Sequence, residues 1–186
     1  WVIHCGAISD TTERDVDKVW AHNYEFTLRL LQVCENYNTN IQLVSTSAVY
    51  GNNTSFKESD PVYPQTPYAW SKYLIDKFLK ENGYENFGML VQNFRYFNVY
   101  GPGEGHKGDQ MSLVSKFHPG TGKAVNVEEV AKSIAKRYDA KIEYIPMPDH
   151  LKSQYQEYTC ADNTKLHNAI AIRHWHTIEE YINATN

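Results

Sequence analysis

A tyrosine and a lysine one helical turn apart are the residues of this chain best suited to chemistry. Tyr68 and Lys72 are four positions apart and open an apolar-periodic stretch directly after Pro64 and Pro67. Side chains at i and i+4 lie on one helix face, so the phenol and the ammonium can reach the same small volume. A free tyrosine, with a pKa of about 10, is a poor base near neutral pH, whereas a fixed positive charge beside it favours the phenolate. We therefore expect Lys72 to lower the pKa of Tyr68 and to make Tyr68 an acid/base catalyst for an alcohol or ketone.

Three further positions carry polar groups that such a reaction can use. Thr46 ends an apolar run, in the stretch 45–51, where its hydroxyl can hydrogen-bond a substrate oxygen and pass a proton to a tyrosine. Asn98 ends the next apolar run, in the stretch 95–102, and Asn23 lies on the first predicted helix. Ser, Thr and Asn also favour turns and strand ends in any protein, and Tyr-x-x-x-Lys pairs occur on ordinary surface helices. The function is therefore inferred from the order and spacing of all these groups together.

These residues are distributed over alternating strands and helices. We predict strands at 2–7, 41–46 and 89–100, and helices at 15–37 and 68–82. This alternation is typical of a parallel sheet with crossover helices, in which ligands bind at the C-terminal strand ends. The apolar face predicted for the first helix consists of Val19, Phe26, Leu30, Leu31 and Val33.

The pattern changes after the third predicted strand. A glycine-rich loop occupies 101–108, a helix with Asn126 as its N-cap is predicted at 126–138, a short strand at 142–146 and a final helix at 177–184. The inward-facing residues predicted for the helix at 126–138 are Val127, Val130, Ala131 and Ile134.

The elements together predict an α/β protein with a Rossmann-like, doubly wound parallel sheet, incomplete in this chain, and a smaller C-terminal α/β substrate domain. Residues 1–100 are assigned to the sheet domain and residues 101–186 to the substrate-binding region.

The composition excludes several classes of protein. The 18 Lys and Arg residues against 22 Asp and Glu give a formal net charge of −4 without a basic block, so we expect no nucleic-acid partner. The longest apolar runs are too short to cross a bilayer, so no membrane partner is expected. Cys5, Cys34 and Cys160 are far apart and form neither a disulfide pattern nor a metal-ligand pattern, which predicts a reducing cytoplasm and no bound metal.

Taken in order, these motifs resemble the extended short-chain dehydrogenase/reductase family, which comprises nucleotide-sugar epimerases and dehydratases. The resemblance rests on the Ser/Thr-x-x-Val-Tyr-Gly stretch, the Tyr-x-x-x-Lys pair and the Arg-Tyr-Phe-Asn-Val-Tyr-Gly-Pro stretch at 95–102. Within the family, the stretch 4–13, the Glu-Gly-His-Lys-Gly loop at 104–108 and the run 142–156 are similar to the epimerases of ADP-activated heptose.

The resemblance implies an epimerisation by transient oxidation at C6 of the sugar. Bound NADP, with NAD as the alternative, takes a hydride and returns it to the other face of the ketone. The two acid/base groups implied are Tyr68 and Lys107, with Lys72 binding the nicotinamide ribose and Thr46 in the position of the family's catalytic Ser/Thr.

The same matching implies the binding residues and partners. The substrate is ADP-heptose or a related nucleotide sugar, and a homo-oligomer is expected. The cofactor-binding residues implied are Gly6, Ala7, Ile8, Ser9, Asn23, Tyr68, Lys72, Val99 and Lys107. The substrate-binding residues implied are Thr46, Asn98, His118 and Tyr155.

The sequence also departs from the family. An apolar strand already occupies 1–4, and the Gly-x-x-Gly-x-x-Gly turn for the cofactor diphosphate is absent from the sequence, so we expect a preceding segment. His118 runs directly into Pro119, where the family has a further helix, loops and a strand, so residues are expected to be missing at this join. Two alternatives stay open: another sugar-nucleotide epimerase or dehydratase of the family, and a catalytically inactive Rossmann-like binding module.

Overall fold

The computed structural model describes residues 1–97, 99, 126–152, 160–170 and 180. They belong to two compact units. The first comprises Trp1–Gly51 and Pro61–Tyr96, and the second comprises Asn52–Asp60 and the described residues from Phe97 onward. The first unit holds all the strands of the described part of the chain. The assignment of 1–100 and 101–186 to cofactor and substrate binding stays a prediction.

The first unit is built on a parallel sheet, as predicted. Strands β1 (Val2–His4), β2 (Ile41–Thr46) and β3 (Val91–Tyr96) are hydrogen-bonded in the order β1-β2-β3. Strand β2 has its predicted bounds, whereas β1 and β3 are shorter than the predicted 2–7 and 89–100. The register explains the end of β3, because its last residue Tyr96 pairs with Thr46, the last residue of β2.

The first predicted helix is present, but it has three parts. They are α1 (Val16–Val19), a π-helix (Trp20–Glu25) and α2 (Phe26–Asn36). Turns of a π-helix are wider than α-helical turns, because each hydrogen bond spans five residues instead of four. The buried side chains therefore follow each other mostly in steps of four: Val19, Asn23, Thr27, Leu31 and Cys34.

This change of periodicity makes part of the predicted apolar face wrong. Phe26 is 53% exposed and Val33 is 50% exposed, although both were predicted to point inward. Leu30 is half-buried and packs against the core. The buried side of the helix instead presents the polar residues Asn23 and Thr27 to the rest of the unit.

Helix α3 (Pro67–Asn82) begins and ends where the sequence predicts. The Thr66 hydroxyl caps it by accepting from the Ala69 amide at 3.2 Å, and Pro67 occupies the first turn, where a missing N–H is tolerated. The helix ends at Gly83, whose φ of 76° is a left-handed conformation that favours glycine.

The apolar core lies between α2, α3 and one face of the sheet. Ile41 and Leu43 are alternate residues of β2, so they point to the same face, and both belong to this core. The other buried members are Leu31, Cys34, Ile75, Leu79, Met89 and Val91. Each large aliphatic side chain buried in this way contributes about 1.5–3 kcal/mol.

Towards the C-terminal strand ends, the same face of the sheet becomes polar. Ser45 follows Leu43 on β2, and Asn93 and Arg95 follow Val91 on β3 at the same alternation. A polar layer therefore covers one end of the apolar core, and the middle of α3 faces this layer with Lys72 and Asp76, both of which are buried.

The second unit contains α4 (Val127–Tyr138), α5 (Asp149–Lys152) and α6 (Thr164–Ala169). Helix α4 is confirmed, and its N-cap Asn126 accepts from the Glu128 amide at 2.8 Å. Of its predicted inward residues, Val130 is buried and Ala131 and Ile134 are half-buried, while the Val127 side chain lies outside the described part of the structure.

The strand predicted at 142–146 is wrong. This stretch forms no strand, and Tyr144 and Ile145 are largely exposed, so no neighbouring strand among the described residues pairs with it. Apart from Glu180, the helix predicted at 177–184 lies outside the described residues. None of the described helices has the length and apolar character that a bilayer crossing requires.

Candidate active site

The polar layer of the first unit brings together five groups of predicted site residues. They are Thr46 at the end of β2, Tyr68 and Lys72 on the first turns of α3, Asn23 on the π-helix, and the loop 6–9 after β1. Val99 is exposed and belongs to the second unit, so its contact with a cofactor stays a prediction. The predicted residues Asn98, Lys107, His118 and Tyr155 lie outside the described part of the chain.

The Thr46 hydroxyl lies close enough to the Tyr68 phenol to lower the pKa of that phenol by hydrogen bonding. Thr46 also caps the 3₁₀ turn Ser47–Tyr50, because its Oγ1 accepts from the Ala48 amide at 3.2 Å. A hydroxyl that accepts from an amide still has its own proton to donate, and donation of that proton to the phenol oxygen lowers the pKa of the phenol. This donation favours the phenolate form of Tyr68.

Burial acts on Tyr68 in the opposite direction. It raises the pKa of the Tyr68 phenol, and the Thr46 hydrogen bond offsets only part of that rise. The expectation that the pKa of Tyr68 lies below its ordinary value is therefore wrong for the protein without a bound ligand. The physical reason is that removing a phenolate from water is more unfavourable than the hydrogen bond is favourable.

Lys72 is a buried cation, only 5% exposed. Burial lowers the pKa of its ammonium, while the negative charges of Asp76 and Cys5 raise it. Tyr68, Lys72 and Asp76 follow each other in steps of four along α3, so the three side chains share one helix face.

Asp76 is held by two side chains of β3. One carboxylate oxygen accepts from Asn93 Nδ2 at 2.7 Å, and the other accepts from Arg95 Nε at 2.8 Å. The Arg95 guanidinium also donates to the Tyr50 hydroxyl at 3.1 Å and lies 5.0 Å from the centre of the Tyr50 ring. A buried acid with both oxygens bound to fixed partners supplies a negative charge of fixed position to the turn that carries Lys72.

Sequence reasoning missed this group of residues. The signal for it is the continuation of the Tyr68 and Lys72 spacing to Asp76, together with the alternation of Asn93 and Arg95 on a predicted strand.

Asn23 fixes the loop after β1 to helix α3. Its Oδ1 accepts from the Ile8 amide at 2.8 Å, and its Nδ2 donates to the Ile8 carbonyl at 2.9 Å and to Ser71 Oγ at 3.1 Å. Ser71 in turn donates to the Tyr68 carbonyl at 2.7 Å. Because the Asn23 side chain is fully buried and fully hydrogen-bonded, it acts on the loop, and a direct contact with the cofactor stays a prediction.

His4 supplies a neutral group to the same layer. Its Nε2 lies 3.0 Å from Thr27 Oγ1, and that hydroxyl donates to the Asn23 carbonyl at 2.6 Å. The hydroxyl proton is thus already used, so Nε2 carries the proton and donates to Thr27. Burial, and secondarily the charge of Lys72, lowers the pKa of His4, which keeps the imidazole uncharged near neutral pH.

Comparison with known proteins identifies the family to which this fold belongs. Residues 1–142 match the NAD dependent epimerase/dehydratase family. An ADP-L-glycero-D-manno-heptose-6-epimerase of Brachyspira hyodysenteriae (strain ATCC 49526 / WA1) is 33% identical over 215 residues, covering 89% of this chain and 68% of that protein. Since the matched length of 215 exceeds the 186 residues of this chain, the relative has residues without a counterpart here.

Two solved structures extend the comparison. The UDP-N-acetylglucosamine 4-epimerase from Methanobrevibacter ruminantium M1, in complex with UDP-N-acetylmuramic acid, has a TM-score of 0.80 at 18% identity, covering 97% of this chain and 74% of that chain, and this likeness shows the fold. The Helicobacter pylori ADP-L-glycero-D-manno-heptose-6-epimerase has a TM-score of 0.56 at 31% identity, covering 61% of this chain and 36% of that chain.

The expected Rossmann-like parallel sheet is therefore confirmed, with Thr46, Tyr68 and Lys72 at its C-terminal edge. The chain belongs to the NAD dependent epimerase/dehydratase family, which is the extended short-chain dehydrogenase/reductase family that its motifs resemble.

Proposed function

We propose that this protein epimerises a nucleotide-activated sugar with a bound nicotinamide cofactor, converting ADP-D-glycero-D-manno-heptose to ADP-L-glycero-D-manno-heptose. The observation that carries the proposal is the position of the Tyr68 phenol beside the Thr46 hydroxyl, with the buried Lys72 one helical turn away. The choice of heptose is supported by the 33% identical relative and by the Glu-Gly-His-Lys-Gly loop at 104–108.

The residues of this chain fit the nicotinamide end of such a cofactor. Lys72 offers a buried ammonium with three N–H donors, which suits the hydroxyl groups of a ribose. The loop 6–9 lies beside the C-terminal end of β1, and Asn23 holds its backbone through Ile8, so a flat ring can approach a fixed surface there. When bound, the cofactor supplies the hydride acceptor. NADP is the proposed form and NAD is the alternative.

The chain's own residues supply the proton chemistry. Tyr68 exchanges a proton with the hydroxyl of one epimer, the second acid/base group does so with the hydroxyl of the other epimer, and Thr46 donates a hydrogen bond to the phenol. Lys72 stabilises the phenolate form by its charge once the site is closed from water. Lys107 is proposed as the second acid/base group, on the opposite side of the reacting carbon.

A homo-oligomer in a reducing cytoplasm is part of the proposal. The exposed apolar side chains Phe26 and Val33 on α2 and Trp70 on α3 support association between copies of the chain. The three cysteines are free, which suits a reducing compartment.

The proposal is tested with the full-length protein, ADP-D-glycero-D-manno-heptose and NADP, by following the configuration at C6 by proton NMR. We expect a mixture of the two epimers to form from either one, and to form about 10²–10⁴-fold more slowly with Tyr68→Phe. Conversion of a UDP-hexose without conversion of the heptose would indicate another epimerase of the family. Cofactor binding without turnover of either sugar would indicate a binding module.

A further inference from the structure

A small cavity lies directly behind Lys72, inside the polar layer of the first unit. Its volume of about 10 Å³ is room for about one water molecule. Its polar lining comes from the first two strands, the helix before β2, α3 and β3: His4, Thr27, Ser45, Lys72, Asp76 and Asn93.

Two atoms of this lining lack a hydrogen-bond partner. Among the described residues, Ser45 Oγ and Asn93 Oδ1 are the only buried side-chain oxygens or nitrogens in this condition. Ser45 is just 3% exposed. An unpartnered buried polar atom costs about 1–3 kcal/mol, so two of them at one cavity call for a ligand that both can bind.

The orientation of the Asn93 amide is fixed by its other partner. An ionised carboxylate accepts hydrogen bonds and has none to donate, so Asp76 must be faced by the NH₂ group of Asn93, at 2.7 Å. The amide oxygen therefore faces away from Asp76 and remains an acceptor at the cavity. Lys72 also lines the cavity, and its ammonium only donates.

We propose that this cavity binds one water molecule, which accepts a hydrogen bond from the Lys72 ammonium and bonds Ser45 Oγ and Asn93 Oδ1. Three polar partners are the usual number for a buried water. The water thus connects Lys72 to the Asn93–Asp76–Arg95 group without direct contact between the two charges. Ser45 and Asn93 become positioning residues that act on Lys72 through the water.

In the described part of the chain, the other charged and titratable groups around Lys72 do not accept a hydrogen bond from its ammonium at this cavity. His4 on β1 is neutral and donates its Nε2 proton to Thr27. Both oxygens of Asp76 are already bound to Asn93 and Arg95. Cys5, which follows β1, is exposed, and its influence on Lys72 is electrostatic. Tyr68, one turn away on α3, lies beside the Thr46 hydroxyl.

A high-resolution crystal structure of the full-length protein tests the proposal directly. We expect a spherical density peak about 2.7–3.2 Å from Ser45 Oγ, Asn93 Oδ1 and Lys72 Nζ, the range of an ordinary hydrogen bond. A cavity without density, or a Lys72 ammonium bonded directly to Ser45 or Asn93, overturns it.

The variant Ser45→Ala gives a second test in solution. We expect the titration of Lys72, followed by NMR of ¹³C-labelled lysine, to move to lower pH, because the ammonium loses a bound acceptor. The midpoint of thermal unfolding should fall by about 2–4 °C. Ser133→Ala, which removes a hydroxyl bonded only to the Glu129 carbonyl of its own helix, should leave the Lys72 titration unchanged.

A dry cavity predicts a different outcome for Ser45→Ala. If no water is bound, Ser45→Ala merely removes an unpartnered hydroxyl, so the unfolding midpoint stays the same or rises, and the Lys72 titration does not move. Either observation overturns the proposal. Both readouts are made without substrate or turnover, so a negative result here is distinguishable from failure of the proposed epimerase activity.

Discussion

The Thr46 hydroxyl lies beside the Tyr68 phenol, where the end of β2 meets the first turn of α3, and lowers the pKa of that phenol by hydrogen bonding. The Ala48 amide donates to the same threonine oxygen at 3.2 Å, and the proton of the hydroxyl stays available to the phenol. The end of β2 thus offers a hydrogen-bond donor to the phenol on α3.

Replacing Tyr68 by phenylalanine removes the acid/base group and leaves the ring. We expect the epimerisation rate to fall by about 10²–10⁴-fold, because this is the usual contribution of a positioned proton-transfer group. The variant should bind the cofactor and unfold within a few degrees of the parent. Tyr73→Phe, on the same helix and edge-on to Trp70, is the matched control and should keep full activity. A Tyr68→Phe variant with parental activity would reject the assignment of the base.

Replacing Lys72 by methionine removes a buried charge while keeping most of the packing. Burial holds the pKa of Lys72 below the 10.5 of a free lysine, so the charged form destabilises the folded state at neutral pH. We expect Lys72→Met to raise the unfolding midpoint by about 2–4 °C and to lower the epimerisation rate at least about 10²-fold.

The pH dependence of this gain follows from the direction of the shift. A lysine with a lowered pKa in the folded state loses its proton there first, so the parent gains stability as the pH rises from that lowered value towards 10.5. The advantage of Lys72→Met should therefore shrink over this alkaline window. Lys80→Met, at an exposed position of the same helix, should show neither effect, and an equal gain in both variants would contradict the explanation.

Replacing Asp76 by alanine leaves the Arg95 guanidinium partly buried without its carboxylate. Removing one partner of a buried ion pair costs about 3–5 kcal/mol, so we expect a loss of this size in the free energy of unfolding measured with urea. Glu81→Ala provides the comparison, because Glu81 pairs with Lys77 at 3.7 Å on the exposed side of the same helix. That pair should contribute less than about 1 kcal/mol. Similar losses of unfolding free energy in both variants would show that the ion pair of Asp76 with Arg95 stabilises the fold no more than an exposed pair does.

Replacing Asn23 by alanine releases the loop that follows β1. The Ile8 amide and carbonyl then lose their partners, at 2.8 and 2.9 Å in the parent, and Ser71 loses a donor. We expect the dissociation constant for NADP, measured by fluorescence titration, to rise about tenfold or more, which corresponds to about 1.4 kcal/mol. Gln32→Ala, at an exposed position of α2, serves as the control. Unchanged cofactor affinity in Asn23→Ala would separate the loop from the cofactor site.

Helix α3 was predictable because its boundaries are set by local residues. Thr66, Pro67 and Gly83 are residues whose capping and backbone preferences act within one turn, and the apolar period between them is regular. Strand β2 was predictable for a similar reason. Its alternate residues Ile41 and Leu43 are apolar, and the strand ends with the polar residues Ser45 and Thr46.

The π-helix was not predictable, because its backbone hydrogen bonds require no particular residue type. It shifts the buried face from Phe26 to Thr27 and brings Asn23 inward. The ion pair of Asp76 with Arg95 depends on which strand lies beside α3, and this is set by tertiary packing. The stretch at 142–146 has the apolar alternation of a strand, but Tyr144 and Ile145 are exposed and unpaired by any described strand.

The fate of the hydrogen at C6 during turnover tests the central claim most directly. A hydride held by a bound cofactor does not exchange with water, so ADP-heptose carrying deuterium at C6 should yield the epimer with its deuterium retained. Mass spectrometry of the product, formed by the full-length protein in ordinary water, measures this. Inversion with retained deuterium is the predicted result. Inversion with loss of the deuterium to solvent would contradict the account, because it would mean that the carbon is deprotonated and not oxidised.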